Sequence, residues 1–133
     1  MCTPERAREC FDRYGVDAIM VGRATFGNPW LFAEMKEFLS TQSTPTTPIT
    51  PSTLIPRSMA EKVAVLKEHV IASIAWCGND ERKGIIHSRR HFAASPVFKG
   101  LADFKQTRIA LLRADTLNEV FSIMDAIVAQ WGQ

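Results

Sequence analysis

A proline-rich, uncharged segment constrains the fold of this 133-residue chain more than any other feature. Residues 40–56 contain four prolines and no charged side chain. Each proline removes a backbone N–H donor and fixes φ, so repeated prolines favour an extended chain over a helix or a central strand. Residues 40–57 are therefore interpreted as a linker between a domain at residues 1–39 and a domain at residues 58–133. A recognition segment for a proline-binding partner is the alternative.

The residues after the linker follow the pattern of amphipathic helices. Two capping boxes, Ser58 with Glu61 and Thr116 with Glu119, indicate helix starts, because each pair satisfies backbone N–H groups that a helix end leaves open. Apolar residues then recur at intervals of three and four residues. Breaks that contain glycine or proline separate four such helices, which predicts an antiparallel four-helix bundle around one core.

The first part of the chain is predicted to hold a helix, a short buried strand and a second helix. Thr3, followed by a proline, is typical of a helix start, and Gly15 is typical of a helix stop. Residues 18–21 then form a continuous apolar run. Such a run favours a parallel strand that is buried on both faces.

Gly22 and Arg23 follow the predicted strand directly and form a candidate phosphate site. Glycine lets the backbone approach a ligand closely, and a guanidinium group pairs with phosphate. The start of the next helix adds exposed N–H groups and a positive partial charge. An ordinary tight turn with a surface arginine has the same short sequence, so the motif needs support from its context.

Residues 17–30 resemble the end of the barrel in bacterial tRNA-dihydrouridine synthases, where Gly-Arg is followed by Gly-Asn-Pro-Trp. The family's basic-basic-histidine-aromatic motif is matched at residues 89–92, and its Phe-Lys and Arg positions are matched within residues 104–108. Residues 86–88 depart from the family pattern. The resemblance implies a mainly α chain, in which the last βα unit of a TIM barrel at residues 1–39 precedes a helical tRNA-binding domain.

The resemblance also implies an activity, the reduction of uridine to dihydrouridine in tRNA by an enzyme that uses FMN and NADPH. Gly22 and Arg23 are then expected to hold the FMN phosphate. In the family the catalytic cysteine lies upstream of the motifs matched here, so no residue of this chain is predicted to be catalytic. A complete barrel takes roughly 250 residues. We therefore expect a carboxy-terminal piece that by itself neither binds FMN nor catalyses the reaction.

Charge is concentrated in the second part of the chain. Residues 81–113 carry eight basic and two acidic side chains, a net charge of +6, whereas the whole chain carries +2. Such a cluster favours contacts with RNA phosphates, although a solvated basic face has the same composition. A stand-alone helical RNA-binding module without catalytic activity is the alternative function. The candidate RNA-binding residues are Lys83, Arg89, Arg90, His91, Lys99, Lys105 and Arg108.

The composition argues against several other classes of protein. No apolar stretch approaches the roughly 18 residues that a membrane span needs, and the first residues lack the pattern of a secretory signal. The three cysteines are an odd number without metal-like spacing, and no histidine and carboxylate pattern suggests a metal site. We expect a cytoplasmic protein with tRNA as its partner, no membrane association and no metal.

Overall fold

A computed structural model describes residues 3–40 and 57–132, and the chain divides after residue 56 into two compact units. The described residues are mainly α-helical, as predicted. Most of the predicted linker at residues 40–57 lies outside the described residues. No helix among the described residues is long and apolar enough to cross a membrane. The helices are α1 (Pro4–Tyr14), α2 (Leu31–Ser40), α3 (Met59–Trp76), α4 (Glu81–Ala94), α5 (Lys105–Arg113) and α6 (Leu117–Trp131).

The first unit packs α1 and α2 around a small apolar cluster. The Thr3 side chain accepts a hydrogen bond from the backbone N–H of Arg6 at 3.2 Å, which confirms the predicted start of α1. Gly15 has a φ of 60° and donates its backbone N–H to the carbonyl of Phe11, which confirms the predicted end. The buried residues of the cluster are Ala7, Leu31 and Met35.

The strand predicted at residues 18–21 is not formed. These residues are neither helix nor strand, and Met20 is 85% exposed. Ile19 and Val21 pack partly against the apolar cluster of the first unit. The prediction was wrong because a strand needs a neighbour to pair with its backbone N–H and C=O groups, and no other part of the described chain is a strand.

The second unit packs α3 to α6 around one core. In this unit α3 contacts α4 and α6, and α5 contacts the same two helices. Both predicted capping boxes are formed, at Ser58 with Glu61 and at Thr116 with Glu119. All four helices contribute fully buried apolar side chains. These are Val63, Leu66, Val70, Ile85, Phe92, Leu111, Val120, Met124 and Ile127.

Gly84 brings α3 and α4 into direct contact. A Cβ atom at Gly84 would lie only 2.5 Å from the Cα of Ile74 and 2.7 Å from its backbone nitrogen, so a side chain is excluded there. The hydroxyl groups of Ser73 and Ser88 both donate to the Gly84 carbonyl oxygen, each at 3.0 Å. This contact sets the spacing of two helices whose facing sides form one of the clefts described below.

Candidate functional site

Gly22 and Arg23, the predicted phosphate pair, begin a short 3-10 turn (Arg23–Thr25) in the first unit. The Gly22 carbonyl accepts hydrogen bonds from the Thr25 backbone N–H at 3.0 Å and from the Thr25 hydroxyl at 2.9 Å. Both Gly22 and Arg23 are exposed, and among the described residues no heavy atom beyond Gly22 and its two chain neighbours lies within 4 Å of the place where a Cβ of Gly22 would be. An open backbone beside a guanidinium group fits a phosphate.

Three of the predicted RNA-binding residues, Lys99, Lys105 and Arg108, line one cleft of the second unit, here termed the basic cleft. Its volume is about 560 Å³, and it lies where the end of α4 leads towards the start of α5. Asp103 is the one acidic residue among those that line it. The basic cleft therefore has a net positive charge and can hold an anionic ligand.

Aromatic packing positions the walls of the basic cleft. Phe104 stacks on Phe98 with ring centroids 5.2 Å apart, and it meets the Trp131 ring edge-on at 5.3 Å. The Trp131 indole N–H donates to a backbone carbonyl at 3.1 Å. Arg108 donates one N–H to the carbonyl of Ala93 at 2.8 Å, and a guanidinium has further donors that can reach a ligand.

Arg90 and His91 lie in a second cleft, of about 350 Å³, between α3 and α4. The rings of His69 and His91 are 4.2 Å apart at their centroids and are inclined by 50°. Arg90 and His91 are candidates from the sequence, whereas the other residues that line this cleft are not. The spacing of those residues along α3 and α4 could have identified them, because residues three and four positions apart share one helix face. This histidine cleft is lined by His69, Ala72, Ser73, Trp76, His87, Arg90 and His91.

Two imidazoles of the histidine cleft are neutral near pH 7. Burial, together with the nearby His69 and Arg90, lowers the pKa of His91 to about 4. Burial and the charge of Arg90 also lower the pKa of His69. A neutral imidazole offers one N–H donor, one nitrogen acceptor and a flat ring instead of a charge. These two histidines are therefore suited to hydrogen bonding and stacking, while Arg90 carries a positive charge.

Acidification is expected to destabilise the second unit as the pH falls from 6.5 towards 4. The unfolded chain takes up a proton at His91 near the ordinary pKa of 6.5, but the folded chain does so only near pH 4. The contribution of the neutral His91 ring to the free energy of unfolding is therefore complete above pH 6.5 and is lost as the pH falls towards 4. Because the ring is partly open to solvent, we expect a loss on the order of 1 kcal/mol. Urea unfolding at several pH values measures this loss, and NMR titration of the His91 ring measures its pKa. If the His91→Gln variant lost as much free energy of unfolding over the same pH range, the loss could not be assigned to His91.

The other two predicted residues, Arg89 and Lys83, lie outside both clefts. Arg89 donates to the carbonyl oxygen of Ala114 at 3.2 Å and pairs with Asp115 at 2.9 Å, so it connects α4 to the loop before α6. Lys83 is exposed near the start of α4, where the Asp80 carboxylate caps its backbone N–H at 2.9 Å. Arg89 therefore holds α4 against the loop before α6.

Comparison with known proteins gives one consistent family. A family model described as Dihydrouridine synthase (Dus) matches residues 1–124. tRNA-dihydrouridine synthase B of Shewanella oneidensis is 32% identical over 123 residues, which cover 92% of this chain and 34% of that protein. The protein of the same name from Pasteurella multocida is 31% identical over 118 residues, which cover 80% of this chain and 32% of that protein. The chain thus spans about a third of the length of these relatives, and no solved structure matches it.

Proposed function

The chain belongs to the dihydrouridine synthase family, and from this premise we propose that it is the carboxy-terminal portion of an enzyme that reduces uridine to 5,6-dihydrouridine in tRNA. The match over residues 1–124 carries the proposal. The whole reaction adds one hydride and one proton across the C5–C6 double bond of uracil. In the parent enzyme, bound FMN that NADPH has reduced would supply the hydride, and the parent would act in the cytoplasm.

The first unit is assigned to the end of the FMN-binding TIM barrel. Gly22 and Arg23 hold the FMN phosphate in this assignment, which is supported by the open space at Gly22 and the exposure of Arg23. Neighbouring barrel strands would supply the backbone partners that residues 18–21 lack among the described residues. The same neighbours would complete the flavin site, so this chain alone is expected not to bind FMN.

The second unit is assigned to tRNA binding, as an antiparallel four-helix bundle whose basic cleft contacts phosphates. The convergence of Lys99, Lys105 and Arg108 on the basic cleft supports this assignment. Charged donors bind phosphate oxygens through short, strong hydrogen bonds, and phosphate contacts fix the position of a protein on a nucleic acid. The basic cleft therefore orients the tRNA, and the parent's barrel carries the chemistry.

A stand-alone helical RNA-binding module is the second candidate function. The observation that favours it is the separate apolar core of the second unit, which draws on all four of its helices. In this case the second unit binds RNA without help from the first and without catalysis. Retention of tRNA by residues 57–133 expressed alone would favour this alternative, whereas binding that needs the first unit as well would favour the enzyme.

The affinity of the full chain for tRNA is expected to fall steeply with salt. If the cations of the two clefts contact phosphates, the plot of log K against log salt should have a slope of roughly −3, since each contact contributes about 0.7 to 0.9. Fluorescence anisotropy with labelled tRNA over a series of salt concentrations measures this slope. A polyanion without bases, such as heparin, serves as the control for unspecific attraction. Failure to bind tRNA, or binding that ignores salt, would refute the proposal.

A further inference from the structure

Trp76 leaves its indole ring almost entirely in water. It is the last residue of α3, and it is 90% exposed even though it lines the histidine cleft. Indole is the largest apolar side chain and a strong stacking partner, so burying it is favourable whenever a flat ligand is present. The second unit therefore has an unused stacking surface beside a cleft.

The polar groups of the histidine cleft favour an anionic ligand with a hydrogen-bonding edge. None of its seven lining residues is a carboxylate, and Arg90 supplies a guanidinium group. Depressed pKa values keep His69 and His91 uncharged near neutral pH, so they present nitrogen donors and acceptors to a ligand.

The size of the histidine cleft restricts the ligand further. Its volume of about 350 Å³ is near the lower end of the roughly 300 to 1,000 Å³ typical of small-ligand sites. The two helices that form the cleft are in close backbone contact at Gly84, and the volume between them is too small for a duplex. Unpaired nucleotides are recognised by stacking on aromatic rings and on guanidinium planes, which matches the groups found here.

We propose that the histidine cleft binds one unpaired nucleotide of RNA, with its base stacked on Trp76 and its phosphate paired with Arg90. His69 and His91 hydrogen-bond to the edge of the base. This inference rests on the proposed function and adds a second contact to it, because the histidine cleft and the basic cleft share no lining residue. The basic cleft holds the sugar-phosphate backbone, and the histidine cleft selects for an unpaired position.

The test compares Trp76→Ala and Trp76→Phe in the full chain, with single-stranded oligouridylate of about eight nucleotides as the probe. Loss of one base stack is expected to weaken binding about 10-fold in Trp76→Ala, while Trp76→Phe keeps a ring and stays within about 3-fold of the wild type. Ile71→Ala is the matched control, because Ile71 is also exposed on α3, at 51%, but does not line the histidine cleft. The affinity for a blunt RNA duplex should not change in any variant.

NMR of the indole N–H groups gives a direct readout on the wild-type chain. The Trp76 signal should shift when oligouridylate is added, and it should shift more than the signal of Trp131, whose N–H already donates to a backbone carbonyl. Equal affinity of Trp76→Ala and wild type for the oligonucleotide would overturn the inference. A Trp76 signal that shifts with protein concentration alone would also overturn it, by identifying a second copy of the chain as the occupant.

The two proposals fail in different ways. If tRNA and the RNA duplex bind but Trp76→Ala has no effect on oligouridylate, the nucleotide site is wrong and the proposed function stands. If the chain binds none of the three probes, tRNA, the RNA duplex or oligouridylate, the proposed function and the nucleotide site are both wrong. Circular dichroism of each variant shows whether the helices are intact, which is expected because Trp76 lies outside the core.

Discussion

Replacing Lys99, Lys105 and Arg108 together by glutamine is expected to weaken tRNA binding by the full chain about 100-fold at roughly 0.1 M monovalent salt. Each lost phosphate contact gives up the free energy gained from counterion release. The slope of log K against log salt should therefore become less steep by about 2 to 3. Anisotropy titrations of the variant and the wild type over the same salt series measure both changes.

The matched control replaces Lys62, Arg82 and Arg113 by glutamine. It removes the same charge, but none of these residues lines either cleft. Arg82 is 3.7 Å from Asp115 and largely exposed, so its ion pair contributes little to stability. We expect a change in affinity of about 3-fold or less, from the altered net charge alone. Equal losses in the two triple variants would mean that total charge, and not the basic cleft, binds tRNA.

Replacing Gly84 by alanine is expected to lower the free energy of unfolding of the second unit by about 2 kcal/mol net. The new Cβ would lie 2.5 Å from the Cα of Ile74, so relief requires a shift of α3 as a whole. Alanine favours helix over glycine by about 1 kcal/mol, which offsets part of the overpacking cost. The melting temperature should fall by roughly 10 °C. Urea and thermal unfolding followed by circular dichroism measure the loss.

Two further variants separate backbone crowding from other causes. Lys83→Ala changes an exposed neighbour in the same helix and should alter the free energy of unfolding by less than about 0.5 kcal/mol. Adding Ile74→Ala to Gly84→Ala should not restore stability, because the crowded atoms include the Cα and backbone nitrogen of Ile74. If the double variant regained wild-type stability, the side chain of Ile74 and not the backbone would be the obstacle.

The helices could be predicted closely because their signals are local. Thr3 and Gly15 bound α1, and the capping boxes at Ser58 and Thr116 mark the starts of α3 and α6, as the structure confirms. Each signal depends on hydrogen bonds between residues three or four positions apart, which form whatever the rest of the chain does. The start of α5 carries no such signal, because the helix begins at Lys105 and no side chain caps it there.

The strand predicted at residues 18–21 was wrong because the pairing of a strand is not local. An apolar run favours burial, but a strand also needs partners for its backbone, and these come from other strands. Among the described residues there are none, so Ile19 and Val21 pack partly on a helical cluster and Met20 stays exposed.

The candidate residues were found from sequence as one basic set, because charge and motif spacing identify residue types but not neighbours. The structure separates this set: Lys99, Lys105 and Arg108 line the basic cleft, while Arg90 and His91 line the histidine cleft. Trp76, from the end of α3, was not part of the predicted set and joins through helix packing alone.

The sequence by itself determined the family and the ends of several helices, since these depend on motifs and on contacts between near neighbours. Only the tertiary structure decided which basic residues share a cleft, which of them is paired internally, and which histidines are neutral. Those properties depend on burial and on groups brought together from distant positions, as when Arg89 meets Asp115 and His69 meets His91. Packing between helices, set at Gly84 by the absence of a side chain, brings such pairs together.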